Sequence, residues 1–158
     1  MEISNPSTTP LVVTRSFPGR YESLASIGDF IRGIAYKAGL NNFATYTVEM
    51  AVDEACSNII EHAYGSEDKG KITCTCKVNT EGLTIILEDY GHPFNPDLVG
   101  DPDINVKLED RPSHGLGLFF IRQWMDRVEF EFKKGNGNRL TLFKKRQDSP
   151  TTKNEKKR

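Results

Sequence analysis

Three stretches of this 158-residue chain place side chains and backbone groups where they could do chemistry. The first is Val52 to Gly65, VDEACSNIIEHAYG, which sets Glu54, Asn58 and His62 four residues apart. On a helix such residues stack along one stripe. Val48, Val52, Ala55, Ile59 and Ala63 form an apolar face, and the polar stripe follows its rim, where a helix borders a pocket. The second stretch is LEDYGHPF, Leu87 to Phe94. Leu83, Ile85 and Leu87 alternate as a strand, Asp89 comes where the strand ends, and Gly91 follows. A carboxylate there can accept a hydrogen bond from an exocyclic amine while the glycine lets a flat ring approach the backbone, which is how an adenine could be read. In the third, SHGLGL, Gly115 and Gly117 immediately precede a helix, so backbone N–H groups and the helix dipole can face an anion, phosphate being the natural candidate. Each stretch alone also has a plainer reading: a solvated helix edge, an Asp-x-Gly turn, a loop entering a helix.

The elements that position these residues follow from periodicity and punctuation. Residues 1–10 are polar with Pro6 and Pro10 and read as a flexible leader. Leu11 to Phe17 alternates as a strand ending at Pro18-Gly19. Leu24, Ile27, Ile31, Ile34 and Ala35 recur at helical spacing from Tyr21 to Ala38, with Gly39 as the stop. Asn41 or Asn42 can cap the next helix, which runs to about Tyr64 and ends at Gly65. Lys71 to Val78 and Leu83 to Glu88 form a hairpin across Asn79-Thr80-Glu81-Gly82. Residues 93–113 hold four prolines, one glycine and five acidic residues with little periodicity, a long loop read as a lid. Leu116 to Met125 resumes a helical pattern, and Val128 to Phe132 with Arg139 to Phe143 forms a final hairpin across Gly135-Asn136-Gly137-Asn138. The expected fold is an α+β two-layer sandwich, a mixed sheet with helices packed on one face.

Composition bounds the function. The chain is long enough for one domain with a real core. Its formal charge is −1, yet the segment 144–158 holds seven Lys/Arg against Asp148 and Glu155, a basic tail expected to be disordered on a mildly acidic body. No comparable basic patch extends it on the body, so direct nucleic-acid binding is not expected. Three cysteines, no N-terminal apolar stretch and no apolar run near the roughly 18 residues of a spanning helix point to a reduced, soluble, cytoplasmic protein without a membrane partner. Cys74 and Cys76 alternate with Thr73, Thr75 and Lys77 and read as small buried strand residues. Zinc would need about four ligands at suitable spacing.

The conjunction is more specific than its parts. A helix bearing Glu54-x-x-x-Asn58, a strand ending in Asp89-x-Gly91, a variable loop (93–113) and Gly115-x-Gly117 opening a helix resemble, in that order, the GHKL (Bergerat) ATP-binding fold of gyrase, MutL and histidine kinases. Within it, VDEACSN, EDYGHPFNP and HGLGL look most like the stand-alone anti-sigma factor serine/threonine kinases of bacteria. The resemblance covers residues 11–143. It implies ATP and Mg²⁺ as cofactors, with Asn58 coordinating the metal and Glu54 acting as general base on the attacking hydroxyl. It implies nucleotide contacts from Asn58, Asp89, Gly91, Phe94, Arg111, His114, Gly115, Leu116 and Gly117. Arg111 either compensates phosphate charge or is a solvated loop residue, and His62 either faces the site or packs and caps the helix end. His92-Pro93-Phe94 departs from the G-x-G continuation of histidine kinases.

The implied function is that of a kinase that binds a sigma factor and phosphorylates a STAS-type antagonist, in a partner switch, as a homodimer. The alternative is a nucleotide-gated binding module without significant phosphoryl transfer. The catalytic half of a histidine kinase is disfavoured because no phosphoacceptor helix pair precedes Leu11.

Overall fold

A computed structural model describes residues 10–93 and 116–147. The leader up to residue 9, the loop from Phe94 onward and the tail from Asp148 lie outside the described residues. The elements run β1 (Leu11–Pro18), α1 (Ser23–Lys37), α2 (Asn42–Asn58) continued by a π-helical turn (Ile59–Ala63), β2 (Lys71–Val78), β3 (Gly82–Asp89), α3 (Leu116–Trp124), β4 (Arg127–Lys133) and β5 (Gly137–Lys145).

The five strands form one sheet in the order β1-β2-β3-β5-β4. Helices cover one face, as expected for a two-layer α+β sandwich. The sheet differs from expectation in being antiparallel at every pairing rather than mixed. β3 and β4 do run in the same direction, since both oppose β5, and would pair in parallel if adjacent. The hairpin from β4 folds β5 into the gap between them, which removes that pairing.

Strand alternation decides what faces the helices. Ile72, Cys74, Cys76 and Val78 of β2 and Leu83, Ile85 and Leu87 of β3 are buried on that side, with Leu140 and Leu142 of β5. The register sets Leu87 opposite Leu140 and Ile85 opposite Leu142, so the inward rows continue across strands. On the outer face, Thr14 and Ser16 lie opposite Thr75 and Thr73, and their hydroxyls pair at 3.0 and 3.1 Å.

The helical layer is built from the expected stripes. Ile27, Ile31, Ile34 and Ala35 bury the inner side of α1. Gly39 ends it at φ +76°, a left-handed conformation suited to glycine, and Leu40 N donates back to Ala35 O at 3.1 Å. Asn41 caps α2, its side chain accepting from Ala44 N at 2.8 Å. Val48, Ala51, Val52, Ala55 and Cys56 fill the α2 face with small side chains, which lets α1 and α3 pack on either side of it. Gly28, like Gly33, is a glycine of α1 in open surroundings: a Cβ there meets nothing within 4 Å. Gly28→Ala is therefore expected to stabilise the fold by about 0.5–1 kcal/mol by removing a mid-helix glycine, measured as a higher urea midpoint.

The folded body also extends further than expected at its C-terminal side. β5 reaches Lys145, Lys144 Nζ donates to Trp124 O at 2.6 Å, Arg146 N to Glu81 O at 2.8 Å, and Asn41 N to Gln147 Oε1 at 2.8 Å. Residues 144–147, assigned to the tail from their charge, are tied into the domain by backbone and side-chain bonds that charge pattern does not reveal.

Candidate active site

Asp89 is the next residue in the inward row after Leu83, Ile85 and Leu87. The alternation that buries three apolar side chains therefore buries a carboxylate, 3% exposed, at the strand end. The register places Asn138 of β5 directly opposite. Asn138 Nδ2 donates to Asp89 Oδ1 at 2.8 Å, and Gly91 N donates to the same oxygen at 2.9 Å. Both bonds land on Oδ1, which leaves Oδ2 to accept from a ligand. Burial raises the Asp89 pKa above the usual carboxylate value, and the bonds from Asn138 and Gly91 work against that rise.

The end of the long helix is stitched to this strand end. At the π-helical turn Tyr64 N bonds to Ile59 O, five residues back, at 2.9 Å, and Ala63 O accepts from His92 N at 2.7 Å. Gly91 passes so close that a Cβ would strike the Ala63 carbonyl. Tyr64 OH donates to Lys71 O at 2.6 Å and accepts from Tyr90 N at 3.1 Å, while Gly70 packs against its ring with no space for a side chain. The chain from Asp89 to His92 is thus held from the helix side and the sheet side at once.

Glu54 and Asn58 stand on α2 where α3 begins. A Cβ on Gly117 would lie 2.7 Å from Glu54 Oε2 and 3.6 Å from Asn58 Nδ2, so the glycine brings the start of α3 against both side chains. Glu54 is part-buried, and its pKa is raised by burial first and by Asp53 and Glu61 second. Asn58 and His62 from the helix, Asp89 and Asn138 from the sheet, and Leu118 and Ile121 from α3 line one pocket, with Ala55, Ile59 and Phe130 among its apolar surface. His62 Nε2 also lies 3.8 Å from Glu61 Oε2.

Of the residues singled out from sequence, Glu54, Asn58, Asp89, Gly91 and Gly117 come together around this pocket. Phe94, Arg111, His114 and Gly115 lie outside the described residues, and Leu116 opens α3. Asn138 and the lining residues Leu118, Ile121 and Phe130 were not anticipated. Gly137 and Asn138 read as turn residues, whereas β4 ends at Lys133 and both belong to β5. Among the described residues no cluster of three or more His, Cys, Asp or Glu could hold a metal ion, and Asn58 offers an amide oxygen of the hard, neutral kind that suits one. A buried carboxylate with one oxygen to offer at one end, and a glycine-opened helix beside an amide and a carboxylate at the other, fit a nucleotide with a cation on its phosphates.

The fold and this arrangement define a nucleotide-binding class, and the chain belongs to the histidine kinase-like ATPase domain family, which it matches over residues 17–144. Its relatives are more particular. It is 32% identical to the serine-protein kinase RsbW of Bacillus mycoides over 139 residues, covering 85% of this chain and 86% of that one. It is 31% identical over the same length and shares to RsbW of Bacillus cereus. RsbW of Halalkalibacterium halodurans is 28% identical over 152 residues, 94% of this chain and 90% of the relative. Among solved structures, the RsbU and RsbW domains of Rv1364c from Mycobacterium tuberculosis share the fold, with a TM-score of 0.60 and 16% identity. That match covers 90% of this chain, which spans about a third (34%) of the longer one. Among the described residues no helix is long and apolar enough to cross a membrane.

Proposed function

We propose that this chain is a cytoplasmic Mg-ATP-dependent protein serine/threonine kinase that acts as an anti-sigma factor. It holds a sigma factor and phosphorylates a STAS-type antagonist as a homodimer, and phosphorylation releases the antagonist and leaves the sigma factor held. The observation that carries this reading is the approach of Gly117 to both Glu54 and Asn58, which puts a carboxylate and an amide beside the start of α3.

Asp89 Oδ2 accepts the exocyclic amine of adenine, with Gly91 giving the ring access to the backbone. The start of α3, with Gly117 set against Glu54 and Asn58, receives the phosphates on its backbone N–H groups. Asn58 contributes an amide oxygen, a hard neutral ligand suited to Mg²⁺. The cation, when bound, neutralises charge that builds on the transferred phosphoryl group. Glu54, one turn from Asn58, takes the proton from the acceptor serine or threonine hydroxyl as its oxygen attacks. His62 lines the same pocket. The RsbW relatives support the protein-kinase reading.

The test is incubation of the purified chain with Mg-ATP labelled at the γ-phosphate and the STAS-domain proteins of its source genome. Label is expected to move to one of them and to fall about a hundredfold or more in Asn58→Ala, because the cation's contribution is several kcal/mol. Binding of ATP without transfer to any candidate would instead favour the nucleotide-gated binding module.

A further inference from the structure

The last described residue, Gln147, sits beside the start of α2: its Oε1 accepts from Asn41 N at 2.8 Å. Arg146 lies against Gly39, where a Cβ would come within 3.1 Å of Nε. From this exit a seam runs along α2 on the side of α1, where Asn42, Tyr46, Glu49 and Asp53 follow one another at helical spacing. Its first part is aromatic. Tyr36 and Tyr46 are 57% and 60% exposed, and Tyr36 OH donates to Asn42 Oδ1 at 3.4 Å. Further on, the seam opens into a groove between the two helices, with Leu24 and Met50 in its floor and Gly28 offering no side chain to fill it. Asp29, Glu49 and Asp53 line this groove with one cation, Arg32, which bonds Glu49 at 2.7 and 3.1 Å and Asp29 at 3.1 Å. Three carboxylates against one guanidinium leave the groove negative.

The segment that follows Gln147 matches the seam in order and in charge. Pro150 comes first, then Lys153, Lys156, Lys157 and Arg158, against Asp148 and Glu155. α2 rises about 18 Å from Asn41 to Asp53, and the six residues from Gln147 to Lys153 span up to about 20 Å when extended. The first lysine therefore reaches the groove where the aromatic stretch ends. We propose that the segment 148–158 docks in cis along the seam between α1 and α2, with Pro150 against Tyr36 and Tyr46 and its basic side chains in the carboxylate groove. Each contact between exposed charges is weak, but tethering supplies an effective concentration on the order of millimolar, enough to populate a weak contact. The docking is independent of the nucleotide reading, yet it bears on access to the site. The seam carries Asp53, the neighbour of Glu54, so a partner approaching Glu54 over this surface must displace the segment.

The test is paramagnetic broadening of backbone amide resonances in the full chain carrying Asn154→Cys, with a nitroxide on the introduced thiol. Cys56, Cys74 and Cys76 are fully buried and do not compete for the label. Amides of residues 25–33 and 46–53 should lose about half or more of their intensity, the population expected for a millimolar contact at that effective concentration. Those of Glu129 and Glu131 on β4, at the far edge of the sheet, should keep theirs. The effect should vanish when Lys153→Gln, Lys156→Gln, Lys157→Gln and Arg158→Gln are combined, and should shrink in about 1 M salt, where the screening length is about 3 Å. Asp29→Asn with Asp53→Asn should remove it from the groove side, with a thermal melt to establish folding; if that variant does not fold, the glutamine variant decides. Broadening spread evenly over all amides, or unchanged by the glutamine substitutions, overturns the inference. Broadening of the seam only when spin-labelled chain is mixed with isotope-enriched, unlabelled chain overturns the docking in cis and assigns the groove to the segment of a second copy.

Discussion

Glu54→Gln is expected to slow label transfer to the antagonist by about 10²–10⁴-fold, the usual worth of a positioned general base, while ATP affinity stays within about threefold of the wild type. The two readouts separate because Glu54 stands at the α3 side of the site, against Gly117, and the bonded pair of Asp89 and Asn138, proposed to meet the base, is anchored on the sheet. Glutamine keeps the size of the side chain beside Gly117, where any added atom is crowded, but cannot take a proton. The pH dependence gives a second signature. The base must be ionised, and burial with Asp53 and Glu61 nearby raises the Glu54 pKa. The rate should therefore be flat at higher pH and fall as pH drops through a value above the ordinary glutamate range, and Glu54→Gln should lack that limb. A wild-type transfer rate in the glutamine variant would remove Glu54 as the base.

How far the site is legible in the sequence depends on whether the determining contact is local. Asp89 is readable because alternation is a property of adjacent residues: Leu83, Ile85 and Leu87 face the core, so the next residue in the row does too. The stripe of Glu54 and Asn58 is readable for the same reason, and Gly39 and Asn41 act as stop and cap through bonds within a few residues. Asn138 is different. Its two acceptors lie 49 and 46 residues away, and its place in β5 rather than in the turn is decided by pairing with Asp89. The sheet order is hidden likewise, because insertion of β5 between β3 and β4 is a choice of the whole fold. The π-helical turn at Ile59–Ala63 reads as ordinary helix, since the Ala63 carbonyl leaves the ladder to meet His92 N, a contact made only in the folded chain. A continuous α-helix predicts His62 on the stripe of Glu54 and Asn58. The turn shifts the phase there, and His62 reaches the pocket wall from the altered helix end.

That stitched helix end makes Gly91→Ala a disruptive single-carbon change near the site. A Cβ at position 91 would run into the carbonyl carbon and oxygen of Ala63 and its Cβ, a backbone neighbour that cannot swing aside as a flexible side chain does. Relief requires the chain at Tyr90–His92 to move off the π-helical turn, which loosens the bonds from His92 N to Ala63 O at 2.7 Å and from Tyr90 N to Tyr64 OH at 3.1 Å. The same movement pulls Gly91 N from Asp89 Oδ1 at 2.9 Å and His92 O from Asn138. A cost of about 1–3 kcal/mol in stability follows from overpacking. ATP affinity should fall by about tenfold or more, because the carboxylate loses one of its two fixed donors and the ring its access to the backbone. Gly28→Ala separates this from a generic effect of replacing glycine, since open space surrounds that position and the change is expected to stabilise without touching affinity. Urea unfolding and ATP titration of the two variants side by side give the answer. Undiminished affinity in a folded Gly91→Ala protein would mean that the close approach to Ala63 serves packing alone and that the base is read without it.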